Sequence, residues 1–124
     1  MEKEFAPYDE SLALKELGFD KPCMRGWYKN LEIWYHPDSD IILDNPTFSQ
    51  AFRWFKEKYK LMSCITPCSD GEYIFTLYDL NKCDLEVFVE DIEIMESEDS
   101  YEFFEDAELE GLKKLIEIAK KKNK

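Results

Sequence analysis

Apolar residues at helical spacing predict three helices in this chain, and the first two have recognisable ends. The first helix is predicted over Tyr8–Leu17, with Asp9 as its N-cap and Gly18 as a left-handed residue after its last turn. The second begins where Thr47 and Gln50 have the spacing of a capping box. We expect this helix to lie across a sheet with its apolar stripe buried. The stripe consists of Phe48, Ala51, Phe52, Phe55 and Tyr59.

The third helix is predicted from about Ser100 to Lys120, and its charges complement a helix dipole. Acidic residues occupy its first turns and lysines its last turns, an arrangement that stabilises the partial charges at both ends. Gly111 in its interior costs about 1 kcal/mol relative to alanine, and we expect it to allow close packing against a neighbour. The predicted apolar stripe consists of Tyr101, Phe104, Leu112, Leu115, Ile116 and Ala119.

A short alternating segment, Leu31–His36, predicts the first strand, because every second residue from its start is apolar. Pro37–Asp40 predicts a turn and Ile41–Leu43 a return strand, so that the two strands form a hairpin. The preceding segment, Asp20–Asn30, contains proline and glycine and is predicted to be a connecting loop.

Three further segments have strand-like composition: Leu61–Thr66, Tyr73–Leu80 and Leu85–Met95. The connections between them are short, so they are predicted to pair antiparallel as a meander. The apolar alternation of the third segment changes phase. A one-residue bulge near Glu90–Asp91 would bring Ile92 and Ile94 to the same face as the earlier apolar residues of that strand.

Together these elements predict a single α+β domain over residues 8–120, in which helices pack on a mostly antiparallel sheet. The predicted order is α-β-β-α-β-β-β-α, with an N-terminal hairpin followed by a three-strand meander. Residues 1–7 are predicted to form a loose arm and residues 121–124 a basic tail. A chain of 124 residues is long enough to bury one core.

Charge is distributed very unevenly along the chain. Between Asp70 and Glu110 there are 16 acidic residues and one basic residue, so this segment carries −15 while the whole chain carries −12. Such a field disfavours direct nucleic-acid binding and anionic membranes, and we expect neither as a partner. The N-terminus lacks the apolar run of a signal peptide and no segment has the length of a membrane span. These features predict a cytoplasmic protein with reduced cysteines.

Candidate metal ligands and nucleophiles are few. Cys64 and Cys68 form one closely spaced pair, whereas structural zinc generally needs two such pairs. The single histidine, His36, can serve as a base only if the fold brings it to a thiol. The aspartates near the hairpin lack the glycine and distal glutamate of calcium-binding loops. We therefore expect no metal, no cofactor and no catalytic residue, and any role of Cys64 and Cys68 stays open.

Three segments resemble proteins of a known group: Ala13–Asp20 (ALKELGFD), Thr47–Tyr59 (TFSQAFRWFKEKY) and Ala107–Lys120 (AELEGLKKLIEIAK). They are similar to segments of small uncharacterised proteins encoded by phages and prophages of gut Bacteroidota, and together they cover under half of the chain. The resemblance identifies no catalytic residue in this chain. It implies a phage accessory protein that acts on host machinery in the cytosol of the host cell.

The acidic block has two interpretations. In one, its carboxylates form the solvated faces of a sheet and the first turns of a helix, where they discourage edge-to-edge pairing. In the other, they form a surface for a partner, by imitation of nucleic-acid phosphates among other routes. Aromatic residues outside the main stripes fit such a surface, and they fit a second, smaller core as well. The predicted partner-binding residues are Glu86, Glu90, Glu93, Glu96, Glu98, Glu102, Trp34 and Trp54.

The main hypothesis is a non-enzymatic, phage-encoded accessory protein that binds a host protein through an acidic and aromatic surface. The first alternative is a structural or self-assembling phage protein, which predicts self-association through an apolar interface. The second is a small enzyme or ligand-binding domain that uses cysteine, histidine or aspartate. The sequence leaves the partner and the oligomeric state open.

Overall fold

The computed structural model describes residues 4–21, 23, 25–27, 33–35, 43–82 and 92–122. Contacts between residues divide the chain into two compact units, Met1–Ala51 and Phe52–Lys124, with the boundary inside the second helix. The α+β class and the order of the predicted elements are confirmed, with one additional strand. One domain over residues 8–120 stays a prediction.

Three helices and six strands lie entirely within the described residues. The helices are α1 (Tyr8–Glu16), α2 (Phe48–Lys58) and α3 (Phe104–Lys122). The strands are β1 (Arg25–Trp27), β2 (Ile33–Tyr35), β3 (Leu43–Asn45), β4 (Leu61–Pro67), β5 (Tyr73–Asp79) and β6 (Glu93–Glu96). A 3₁₀ turn, Leu80–Lys82, follows β5.

The first unit contains a three-stranded antiparallel sheet in the order β2-β1-β3. Its central strand β1 lies inside the segment predicted to be a loop, and the N-terminal hairpin is formed by β1 and β2. The two segments predicted to pair with each other pair with β1 instead, on its two edges. With only three residues and Gly26 at the centre, β1 has no alternation from which a strand can be predicted.

The start of the chain is tied into the first unit. Phe5 and Ala6, which the sequence places in a loose arm, are buried, and the amide of Ala6 donates to the carbonyl of Pro46 at 2.9 Å. The buried side-chain amide of Asn45 donates to the carbonyl of Ala6 at 2.7 Å and to the Ser11 hydroxyl at 3.2 Å. These bonds satisfy polar groups that are out of contact with water.

Helix α1 begins at Tyr8 as predicted and ends at Glu16, one residue before the predicted Leu17, but its N-cap residue differs from the prediction. Gly18 has φ 102°, and the amide of Phe19 donates to the carbonyl of Leu14 at 2.9 Å, which closes the C-terminus. The N-cap position is occupied by Pro7 rather than Asp9, and it provides no side-chain hydrogen bond. Asp9 lies in the first turn, where its charge favours the positive end of the helix dipole.

The predicted capping box of α2 is confirmed. The Thr47 hydroxyl accepts a hydrogen bond from the backbone amide of Gln50 at 3.1 Å. The side-chain oxygen of Gln50 accepts one from the backbone amide of Thr47 at 3.0 Å. Each side chain thus satisfies a backbone donor that has no partner inside the helix.

The second unit contains the antiparallel sheet β4-β5-β6, and α3 packs on one face of it. The buried residues of α3 include Ala107, Gly111 and Leu112, and the buried Phe75 and Leu77 belong to β5. A methyl group on Gly111 would lie 2.9 Å from the Ser63 hydroxyl of β4 and 3.5 Å from Cγ of Phe75. The expectation that Gly111 allows a close approach therefore holds.

Strand β6 covers only the end of the predicted Leu85–Met95 strand within the described residues, and it is bulged. Leu77 lies opposite Met95 and Tyr78 lies opposite Glu93, which leaves Ile94 as the extra residue. Ile92 is buried and Ile94 is 40% exposed, so the expectation that both face the core is wrong. The bulge predicted near Glu90–Asp91 falls outside the described residues.

The start of α3 also differs from the prediction. The helix begins at Phe104 rather than near Ser100, and the ring of Phe104 is 43% exposed instead of buried in the apolar stripe. Tyr101 precedes the helix and pairs with Tyr73 through an isolated antiparallel bridge. The core positions of the first helical turns are instead the small residues Ala107 and Gly111, which allow the close approach to the sheet.

Candidate functional site

The strongest concentration of surface charge in the described chain is residues 93–106, here called the acidic segment. It comprises β6, the connection that follows and the first turn of α3, and it contains seven acidic residues and no basic one. All of its carboxylate residues except the half-buried Glu105 are exposed. The other six are Glu93, Glu96, Glu98, Asp99, Glu102 and Asp106.

Large apolar side chains are exposed in the same segment. Phe103 is 49% exposed, Phe104 is 43% exposed, and Ile94 is 40% exposed. Among the described residues only one other large hydrophobic side chain, Leu12, is exposed to a similar degree. Three of the four therefore fall within fourteen residues that also carry the highest density of negative charge.

Hydrogen bonds to the sheet hold the acidic segment in place. The amide of Ser97 donates to the carbonyl of Phe75 at 2.8 Å, and Tyr73 and Tyr101 exchange two backbone hydrogen bonds of 2.7 and 2.8 Å. The ring of Phe104 meets the ring of Tyr73 edge to face at 5.6 Å between centroids. The Ser100 hydroxyl donates to a carboxylate oxygen of Glu72. The connection is thus attached to β5 along its length.

The lysines of α3 do not neutralise the acidic segment. Lys113 pairs with Glu110 at 3.3 Å, while Lys114 and Lys121 pair with Glu117 at 3.5 and 3.6 Å. All of these partners lie beyond the segment, and within the described residues none of its seven carboxylates has an ion pair. At the N-terminus of α3, Glu105 and Asp106 also interact favourably with the helix dipole.

Two tyrosines report the electrostatic environment of this region. Burial raises the pKa of the Tyr101 phenol above its ordinary value of 10.0, the carboxylates of Glu110 and Asp99 raise the pKa further, and Lys113 lowers it in part. Burial also raises the pKa of Tyr78, with added contributions from the Cys64 thiol and the Glu93 carboxylate. Both effects favour the neutral phenol, as expected where negative charge collects.

The structure places the predicted partner-binding residues in three different situations. Glu93, Glu96, Glu98 and Glu102 are exposed, as the prediction requires. Glu86, Glu90 and Trp34 lie where the structure does not describe the side chain. Trp54 is only 4% exposed, because its ring packs edge to face against Phe55 and Tyr59 at 5.1 and 5.6 Å. The structure therefore removes Trp54 from the predicted surface.

The described residues contain no group of three or more histidine, cysteine, aspartate and glutamate side chains suited to a metal ion. Cys64 lies in β4 opposite Thr76, and Cys68 lies in the loop after β4, where its amide donates to the Glu72 carbonyl at 2.7 Å. His36 lies outside the described residues, so its part in any thiol–imidazole pair stays a hypothesis.

Sequence reasoning misses two features of the surface. The apolar pattern places Phe104 in the core and gives Phe103 no role, because it predicts the start of α3 four residues too early. The pattern also gives no indication of a cleft of about 530 Å³ between the end of α2 and the start of β4. Its charged residues look like an ordinary solvated helix face, and their apolar neighbours Met62 and Leu80 come from other elements. Helical spacing alone gives no signal for such a combination.

Comparison of this chain with protein-family models, curated proteins and solved structures finds no match. Among the residues that the structure describes, no helix has the length and apolar character needed to cross a bilayer.

Proposed function

We propose that this protein is a non-enzymatic binding protein whose acidic segment docks on a basic surface of another protein. The resemblance of three sequence segments to phage and prophage proteins extends the proposal to a phage accessory protein with a host partner in the host cytosol. Host proteins with a basic nucleic-acid-binding cleft belong to the proposed partner class, because their clefts already accept closely spaced negative charges.

The observation that carries the proposal is that residues 93–106 combine exposed phenylalanines with carboxylates that have no ion pair among the described residues. Exposed carboxylates by themselves are ordinary on a soluble surface. Exposed Phe103 and Phe104 side by side are less ordinary, since aromatic side chains in water lose the free energy gained on burial. Since about half of each ring is already buried, covering the rest in a partner recovers about 1 kcal/mol per ring.

The carboxylates and the phenylalanines would contribute to different steps of binding. The carboxylates steer a basic partner and raise the rate of association, and this effect weakens with salt. The phenylalanines supply the apolar contact at the centre of the interface, which is much less sensitive to salt. The proposal therefore predicts a complex whose association slows in salt and whose dissociation accelerates when the rings are removed.

The test is capture of host proteins by four purified forms of this protein. The first is the wild type, and the second carries Glu93→Gln, Glu96→Gln, Glu98→Gln and Glu102→Gln. The third is a matched control that neutralises the same number of exposed carboxylates elsewhere, at Glu4, Asp9, Glu16 and Asp20. The fourth form, Phe103→Ser with Phe104→Ser, isolates the apolar contribution. Captured proteins are compared at about 0.1 M and about 0.5 M salt.

We expect a basic host protein to be retained by the wild type and by the matched control at low salt. The four-glutamine form should lose most of it, and the two-serine form should lose it at both salt concentrations. A partner that all four forms retain equally would contradict the proposal, because it would bind elsewhere. Absence of any retained host protein would contradict it as well.

A further inference from the structure

The cleft of about 530 Å³ in the second unit is strongly basic. One side is formed by α2 and the residues just after it, which present Phe52, Arg53, Lys56, Glu57 and Lys60. The other is formed by Met62 of β4 and by Leu80. Three cationic side chains and one carboxylate thus surround an apolar floor, in a chain whose net charge is −12.

The helical repeat places residues 53, 56 and 57 along one face of α2, and Lys60 follows the helix by two residues. The backbone of Lys60 is held in the left-handed region, at φ 58°. Its carbonyl accepts the amide of Leu80 at 2.7 Å, and the preceding carbonyl of Tyr59 accepts the Asn81 side chain at 3.2 Å. These bonds fix α2 to the 3₁₀ turn, so the two walls of the cleft keep their spacing.

The chemistry of this cleft is complementary to that of the acidic segment. Arginine and lysine pair with carboxylates, while an apolar floor accepts an aromatic ring. The stretch from Glu98 to Asp106 offers both groups, with five acidic residues around Phe103 and Phe104.

The cleft and the stretch from Glu98 to Asp106 lie at opposite ends of the same strand, β5. Phe104 contacts Tyr73, the first residue of β5, and Leu80 of the cleft directly follows the last residue of β5. Seven residues of extended chain separate these ends by about 20 Å at about 3.3 Å per residue. Complementary surfaces so placed cannot meet within one chain, and they can meet between two copies.

We propose that the cleft binds residues 98–106 of a second copy of this chain, in a head-to-tail contact. The inference rests on the proposed function, since it assigns one partner to the same acidic segment. A contact of this kind is heterologous, because each copy uses a different surface. It leaves one cleft and one segment unoccupied at the ends of a dimer, so further copies can add.

The net charge of each copy sets the conditions for observing this contact. Two copies that each carry −12 repel one another over long distances at low salt. At about 0.15 M ionic strength the Debye length is about 8 Å, so the long-range repulsion is screened while ion pairs in contact are retained. We therefore expect weak self-association that is greatest at intermediate salt.

The decisive experiment mixes two variants that are each defective in one surface. The cleft variant carries Arg53→Gln, Lys56→Gln and Lys60→Gln, and the segment variant carries Phe103→Ser and Phe104→Ser. All five positions are exposed, and circular dichroism checks that each variant is folded. A matched control removes the same charge from α3 at Lys114, Lys120 and Lys122. Sedimentation equilibrium at about 0.15 M salt gives the association constants.

We expect the wild type and the α3 control to self-associate, and each single-surface variant to do so at least about tenfold more weakly. The mixture of the two variants should form a 1:1 heterodimer that grows no further, because the remaining cleft and segment are both defective. A synthetic peptide of residues 98–106 should compete with the wild-type association.

A wild type that is monomeric at every concentration would overturn the inference, as would a mixture that stays monomeric. So would a dimer that persists in both single variants, because such a dimer must use another surface. None of these results bears on capture of a host protein by the acidic segment, which the cleft variant should retain in full. Failure of the inference and failure of the proposed function are therefore distinguishable.

Discussion

Ser63 is buried at its hydroxyl, and this oxygen has no hydrogen-bond partner among the described residues. It lies in β4 directly beneath Gly111, where an added Cβ would come within 2.9 Å. An unsatisfied buried hydroxyl costs about 1–3 kcal/mol, and a helix-interior glycine costs about 1 kcal/mol relative to alanine. Two groups thus lower the free energy of unfolding where α3 approaches the sheet: the Ser63 hydroxyl and the glycine at position 111.

A double-mutant cycle at these positions should show strong coupling. Ser63→Ala removes the unsatisfied oxygen and should raise the free energy of unfolding by about 1 kcal/mol. Gly111→Ala should lower it while the Ser63 hydroxyl is present and raise it in the Ser63→Ala background, with a coupling of about 1 kcal/mol or more. Urea unfolding of the four proteins measures these values. Equal effects of Gly111→Ala in both backgrounds would show that the two residues are not in contact.

Tyr78 and Tyr101 should make stability depend on alkaline pH. Both phenols have a pKa raised above 10.0, chiefly by burial. Because the folded pKa exceeds the unfolded one, their contribution is complete below about pH 10 and disappears as pH rises through the folded pKa.

The variant with Tyr78→Phe and Tyr101→Phe should lose less stability than the wild type between pH 9 and pH 11, about one unit either side of the ordinary phenol pKa. Urea midpoints measured across this range give the comparison, since lysine ionisation is common to both proteins. Parallel curves for the two proteins would refute the assignment.

At the scale of elements, the residue that follows α2 by two positions, Lys60, lines the cleft and has a strained backbone. Lys60 adopts φ 58°, where a side chain costs about 1–2 kcal/mol and glycine costs little. Two hydrogen bonds to the 3₁₀ turn hold this conformation. A lysine retained there at a cost in stability is consistent with a role for its ammonium group in the cleft.

Lys60→Gly should therefore stabilise the protein, by about 0.5–1 kcal/mol after allowance for the greater chain entropy of glycine in the unfolded state. Lys60→Ala is the control, because it removes the same charge and keeps the strained backbone. Thermal and urea unfolding should separate the two variants. Equal stability of the glycine and alanine forms would mean that the left-handed conformation carries no strain.

The elements that sequence predicts well are those whose signals are local. The capping box of Thr47 and Gln50 and the left-handed Gly18 depend on neighbours within a few residues, and both are confirmed. Strand β1 escapes prediction because it owes its existence to pairing with β2 and β3 on both edges. The exposure of Ile94 escapes prediction for a similar reason, since the position of a bulge depends on the partner strand.

At the scale of the whole molecule, repulsion between like charges lowers the free energy of unfolding. Seven carboxylates in residues 93–106 have no ion pair among the described residues, and the segment is held close to the sheet. Mutual repulsion of such charges opposes the compact state and is screened by salt.

Stability should therefore rise as salt increases from about 0.01 M to about 0.5 M, over which the Debye length falls from about 30 Å to below 10 Å. The variant with glutamine at positions 93, 96, 98 and 102 should show a smaller rise, because fewer charges remain to be screened. Urea midpoints of both proteins at each salt concentration provide the comparison. A wild type that is destabilised by salt would contradict this account of the acidic segment.

Roughly half of the candidate site is accessible from the sequence. The high density of acidic residues can be seen in the sequence. Glu93, Glu96, Glu98 and Glu102 are exposed as predicted. Of the two predicted aromatic residues, Trp54 is wrong, because it lies off the apolar stripe of α2 and still packs between Phe55 and Tyr59, and the Trp34 side chain lies outside the described residues. Phe103 and Phe104 are exposed because α3 begins at Phe104, a boundary that the pattern does not define.

The central claim is that residues 93–106 form the surface on which a partner docks. Amide hydrogen exchange of the protein alone and saturated with a captured partner tests it most directly, because exchange locates protection along the chain. The account predicts slowed exchange from Glu93 to Asp106 in the complex, with α1 and the first sheet unchanged. Protection confined to residues 4–58, with the acidic segment exchanging as it does in the unbound protein, would contradict it.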